Sequence, residues 1–178
     1  GDNFFNVHQS PLPSMRGSVA SYIILYEIRA FQTCLHKVEP GIDTGNIIYR
    51  KSFIIPSNLK LPNQINNFLQ LMNREMLKDF LISFEKNDLL NEKQNSYFSS
   101  YNKRLSSQIN GWIDWSQNVY NVEKFIRSFD TPYNGALTFL NSKKVRIKNI
   151  DFSLEDGSSH SFENGLILRK FMDMCVVS

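Results

Sequence analysis

The chain has 178 residues, 42% of them hydrophobic and 21% charged, with a formal net charge of +3. That length fits one domain, or one domain with a small appendage, and can bury about two-thirds of its unfolded surface. So slight a basic balance offers no concentrated face for nucleic acid, two cysteines make no disulfide framework, and no apolar run approaches the roughly 20 residues of a membrane span.

FFNVH, residues 4–8, reads as a short strand, and Pro11 and Pro13 then deny it further sheet pairing. Residues 18–29 read as a helix with Ser18 as N-cap, since Val19, Tyr22, Ile23 and Tyr26 fall at helical spacing. QTCLHKV, 32–38, reads as a strand; PGIDTG is a turn built on Pro40, Gly41 and Gly45. NIIYRKSFII, 46–55, is a second strand stopped by Pro56. Ile65, Phe68, Leu69, Met72, Met76, Phe80 and Leu81 then form one apolar stripe, which predicts a core-facing helix over about 62–86.

From 87 to 111 the composition turns polar and reads as a long loop. A short helix over 119–129 carries Val122, Phe125 and Ile126. After the turn DTPYNGA the pattern changes to period two: ALTFL, KKVRIKNIDFSL and HSFENGLILRKF read as strands, joined by NS and EDGSS. The chain is thus α/β first and small all-β last. Because it opens within a strand-like run and closes on the apolar DMCVVS, part of a longer protein is expected.

The chemistry gathers in NVHQSPLPSMRG, 6–17. Residues i and i+2 of a strand share a face, so Asn6 and His8 project together at a strand end, where α/β sheets place their sites. An imidazole accepts a proton near neutral pH, and an amide NH2 donates to a developing oxyanion. Asp43, in a Gly-flanked turn, is the natural group to orient the imidazole. Each of the three is equally at home as a loop or turn residue when taken alone. Cys34 and His36 read as structural, lacking the three or four ligands of a metal site.

Taken together, NVHQSPLPSMRG resembles the Asn-x-His-x-Ser-x-Leu-Pro-x-x-Arg-Gly segment of the folate-dependent formyltransferases. CLHKVEPGIDTGNIIYRKSF resembles their strand-turn-strand with Ile-Asp-Thr-Gly, and NGWIDW, 110–115, their Asp-Gly-x-Ile-Asp-Trp element. FIRSFDTPYNGALTFLNSKKVRIK, 125–148, resembles the segment leading into their small β subdomain. Val19 to Ile23 and Gln32 to Cys34 depart from the family's usual residues at scaffold positions.

This resemblance implies a Rossmann-like α/β core, its N-terminal part outside this chain, followed by a small β subdomain. Residues 1–95 are then the catalytic core, 96–130 a connecting loop and helix, and 131–178 the β subdomain. The implied reaction passes a formyl group from N10-formyltetrahydrofolate to a primary amine without a metal. Asn6 and His8 would stabilise the oxyanion, and Asp43 would orient His8 and take up the amine proton. Ser10, Leu12 and Val38, Glu39, Pro40, Gly41 and Ile42 would line the folate pocket.

A nucleotide-diphosphate-linked amino sugar is the expected amine, one used in lipopolysaccharide O-antigen. Lys144, Arg146 and Lys148 read as a solvated strand face rather than an RNA platform. Tyr97 and Trp112 offer stacking faces, and Lys103 and Arg104 could meet a pyrophosphate. Methionyl-tRNA is the alternative amine, and a non-catalytic binding or dimerisation module the alternative role. A cytoplasmic homodimer with no nucleic-acid or membrane partner is expected.

Overall fold

The computed structural model describes residues 4–151, 164–172 and 174–178. Its first half runs β1 (Phe5–His8), β2 (Arg16–Gly17), α1 (Ala20–Leu25), β3 (Ala30–Lys37), β4 (Ile47–Ile54) and α2 (Pro62–Glu85). Strands β1, β3 and β4 form one sheet in the order β1-β3-β4, antiparallel throughout. The turn between β3 and β4 is short enough to reverse the chain directly, so no crossover helix is needed.

Helix α1 is shorter than the expected 18–29 and begins after Val19, not Ser18. Ser18 lies one residue before the N-cap position, which Val19 occupies without a side-chain cap, and the Ser18 N–H donates instead to the Asn102 carbonyl at 2.8 Å. Glu27, at φ 52°, ends the helical path.

Helix α2 follows its stripe closely at the start. Pro62 occupies its first turn and Gln64 Oε1 accepts from the Leu61 N–H at 3.1 Å. Ile65, Leu69 and Met76 are fully buried, and Phe68 packs beside them. Leu81 is a correction: it is 59% exposed, alongside exposed Leu77, Ile82 and Phe84. A 24-residue helix spans about 36 Å, whereas an eight-residue strand spans about 27 Å, so the last turns outrun the sheet.

The second correction concerns 87–111, which is a strap rather than a free loop. Glu92 exchanges two backbone hydrogen bonds with Ile47, and the Leu90 N–H reaches the Ile48 carbonyl. A 3-10 turn at Ser96–Phe98 leads to β5 (Tyr101–Asn102), which pairs in parallel with β2, and then to α3 (Ser107–Asn110). A segment laid across the sheet edge must satisfy its backbone groups, and it does so against the strands beneath.

Helix α4 (Val119–Ser128) starts where the Asn118 side chain accepts from the Asn121 N–H at 3.0 Å. Strands β6 (Ala136–Leu140) and β7 (Lys143–Ile147) make a hairpin through Asn141 and Ser142, both at positive φ. The strand expected over 143–154 ends at Ile147, and β8 (Ile167–Lys170) pairs with β9 (Cys175–Val177). The rest of the expected strands, 152–154 and 160–163 with the EDGSS turn, lie outside the described residues.

Two apolar clusters hold this together. One joins α1, β3 and α2 through Ile23, Phe31, Ile65 and Leu69; the other joins α4 to β6 through Ile126, Phe129 and Ala136. Leu105, on the strap, packs against both, so no seam separates core from β subdomain there. The Ile-Asp-Trp element is stitched to β6 by Ile113 N–H to Leu137 carbonyl at 2.9 Å and Leu137 N–H to Gly111 carbonyl at 2.6 Å.

Candidate active site

Strand register builds the site. Asn6 on β1 lies directly opposite His36 on β3, and His8 opposite Cys34, so Asn6, His8 and His36 share one face. The turn after β3 brings Asp43 over that face. His8 Nδ1 is 3.5 Å from Asp43 Oδ2, and His36 Nε2 is 3.5 Å from Asp43 Oδ1. Asn6 Nδ2 donates to Asp43 Oδ1 at 3.4 Å and to His36 Nε2 at 3.2 Å, and the Gly17 N–H donates to Asp43 Oδ2 at 3.2 Å. Asn6, His8 and Asp43 therefore converge.

His36 is the site residue that the sequence reading missed. It is buried, and its Nδ1 stands 2.8 Å from the Lys37 carbonyl. A carbonyl only accepts, so neutral His36 carries its proton on Nδ1 and presents a bare Nε2 to Asn6. His8 is fixed the same way: Nε2 donates to the Met15 carbonyl at 3.2 Å, leaving Nδ1 bare beside Asp43. The signal was available only as an i, i+2 relation between Cys34 and His36 on a strand whose register sequence does not give.

The electrostatics favour a neutral His8. Burial lowers its pKa from 6.5, the Asp43 carboxylate and the Met15 carbonyl oppose that, and His36 and Arg16 add to it. The result is a base with a free lone pair at neutral pH and a carboxylate alongside to stabilise the cation formed when it takes a proton.

The other expected residues are scattered. Ser10 and Leu12 are buried: the Ser10 hydroxyl donates to the Ser14 carbonyl at 3.1 Å, and Leu12 packs with Cys34 and Ile47. Val38, Glu39, Pro40, Gly41 and Ile42 form an exposed turn beside Asp43. Tyr97, Lys103 and Arg104 are exposed on the strap. Trp112 stacks on Phe139 with ring centroids 5.0 Å apart, and its indole N–H donates to the Gln108 carbonyl. Among the described residues no cluster of three or more His, Cys, Asp or Glu side chains is suited to a metal.

The charge of Arg16 bears on His8, and its Nη2 donates to Gln94 Oε1 at 2.8 Å. Its Nε, together with Asn102 Nδ2 on the paired strand, is buried with no partner among the described residues. Such a donor costs about 1–3 kcal/mol, so both mark a strained corner beside Asp43.

Residues 106–178 match the family model for the formyl transferase C-terminal domain. A methionyl-tRNA formyltransferase of Ruminiclostridium cellulolyticum is 30% identical over 145 residues, covering 80% of this chain and 45% of that protein. The N-formyltransferase of Helicobacter canadensis, solved with folinic acid and dTDP-3-aminofucose, is 30% identical at TM-score 0.57, over 70% of this chain and 46% of that one. The fold is shared with a methionyl-tRNA formyltransferase from Clostridium thermocellum, 17% identical at TM-score 0.63, over 85% and 64% of the two chains. This chain spans about half the length of the curated relatives it matches. Matched in sequence and in fold together, these relatives support a folate-dependent formyltransferase family for this chain.

Proposed function

We propose that this chain carries the proton-handling half of an N-formyltransferase that moves a formyl group from N10-formyltetrahydrofolate to a primary amine. The observation that supports it is Asp43 placed between the bare nitrogens of His8 and His36, with Asn6 alongside. The amine nitrogen attacks the formyl carbon, and a tetrahedral oxyanion forms. Asn6 is exposed, with one amide hydrogen on the His36 imidazole and the other only at a long 3.4 Å from Asp43; it turns the first to that oxygen, a stronger acceptor than neutral imidazole. His8 Nδ1 takes the amine proton, and Asp43 stabilises the imidazolium. Collapse expels the folate nitrogen, and the proton on His8 is available to it.

The finer proposal is that the amine belongs to a nucleotide-linked amino sugar. The solved relative at 30% identity was crystallised with such a compound, and the exposed Lys144 and Arg146 share one five-residue strand. A methionyl-tRNA amine is the second reading, favoured by the curated relatives. The test follows tetrahydrofolate release with N10-formyltetrahydrofolate, offering amino-sugar nucleotides and charged initiator tRNA in parallel. Turnover of a sugar nucleotide supports the proposal; turnover of tRNA alone replaces its substrate.

A further inference from the structure

The Asp43 turn is an unpromising place to hold a carboxylate still. Glu39, Pro40, Gly41 and Ile42 are exposed, and Asp43 itself sits at φ 52°, a left-handed conformation that costs a non-glycine residue about 1–2 kcal/mol. Yet the Asp43 carboxylate keeps four partners, Asn6, His8, Gly17 and His36, within 3.5 Å.

A side chain far away in sequence grips this turn. Gln94 on the strap is 8% exposed, and its Nε2 donates to both the Asp43 and the Gly45 carbonyls at 2.8 Å. Its Oε1 accepts from Arg16 Nη2 at 2.8 Å, so both amide hydrogens and the amide oxygen are engaged. The two carbonyls flank Thr44, and fixing both fixes the peptide planes that aim the Asp43 side chain. Arg16 adjoins Gly17, whose N–H already binds the carboxylate, so a single glutamine ties the backbone of the two motif loops together.

We propose that Gln94 is a positioning residue: its carboxamide, oriented by Arg16, holds the Asp43 backbone so that the carboxylate stays between His8 and His36. Its effect on turnover rests on the function proposed above; its effect on geometry does not. The groups that face His8 are Asp43, His36, Arg16 and the Met15 carbonyl, and of the three charged or titratable ones only Asp43 favours the imidazolium. A carboxylate that drifts away therefore lowers the titration midpoint of His8 further.

The test is NMR titration of the three histidines. Gln94→Met, which keeps the volume and loses the hydrogen bonds, is expected to lower the His8 midpoint by at least about 0.3 units, a twofold change in proton affinity. Gln94→Asn, too short to span both carbonyls, is expected to move it the same way by less, and it decides the matter if the Met variant does not fold. In the formyl-transfer assay the variants should lose roughly tenfold in kcat, the scale of a misplaced catalytic group, with the KM for the formyl donor within about twofold. An unchanged His8 midpoint, with or without a fall in melting temperature, overturns the proposal. A full-length wild-type protein that transfers no formyl group refutes the functional reading and leaves the midpoint to decide the role of Gln94.

Discussion

At the scale of single residues, proton flow in the site follows from which nitrogens are already spoken for. Carbonyls hold one nitrogen of His8 and one of His36, so the free nitrogens both face Asp43. Because the folded pKa of His8 lies below its unfolded value of 6.5, the unfolded chain binds protons more readily as pH falls past 6.5. His8 thus contributes stability that is complete above that pH and declines below it. Chemical denaturation at pH 7.5 and pH 5.5 should show this loss for wild type and a smaller one for His8→Gln; an equal loss in both would contradict it. Asn6→Ala should lower kcat by about 10²-fold, as removal of one oxyanion donor does, measured at saturating formyl donor. The convergence of Asn6, His8 and Asp43 was legible because spacing of two in a strand and a Gly-flanked turn are local facts. His36 was not, because its neighbours in sequence are core residues and only the pairing of β1 with β3 reveals it.

Elements show where periodicity stops being informative. The α2 stripe marked the buried face correctly at Ile65, Leu69 and Met76, but it says nothing about how far the sheet extends beneath. Met76→Ala should therefore cost about 2–5 kcal/mol and Leu81→Ala no more than about 0.5 kcal/mol, as read by urea unfolding. Equal losses at the two positions would mean that the exposed end of the helix is covered. The strap was illegible for a different reason: its hydrogen bonds run to Ile47, Ile48 and Ser18, positions 42 to 84 residues away, and a polar composition gives no hint of such partners. Asp130 belongs to this scale too. It is 1% exposed and, although burial works against ionisation, the N–H groups of Thr131 and Asn149, the Thr131 hydroxyl and Lys148 keep its pKa below the usual carboxylate value. Asp130→Ala should destabilise the junction of α4 and β7 by roughly 3 kcal/mol in the same unfolding assay.

Across the whole molecule, the mixed α/β class and the switch to hairpins after residue 130 were readable from period and punctuation. The antiparallel order β1-β3-β4 was not, since strand direction depends on connections in space. The motifs sit on different elements, and the fold brings two of them together at Asp43 while leaving the Ile-Asp-Trp element to anchor β6. Under the proposed function, chemistry falls to the β1, β3 and turn residues and support to the rest. The most direct measurement is single-turnover formyl transfer from N10-formyltetrahydrofolate to the accepted amine, comparing wild type with Asp43→Asn. The substitution keeps size and hydrogen-bonding capacity but removes the charge that stabilises the His8 imidazolium. The account predicts a fall of about 10²-fold or more with the melting temperature nearly unchanged. An Asp43→Asn protein that transfers formyl at the wild-type rate would contradict it.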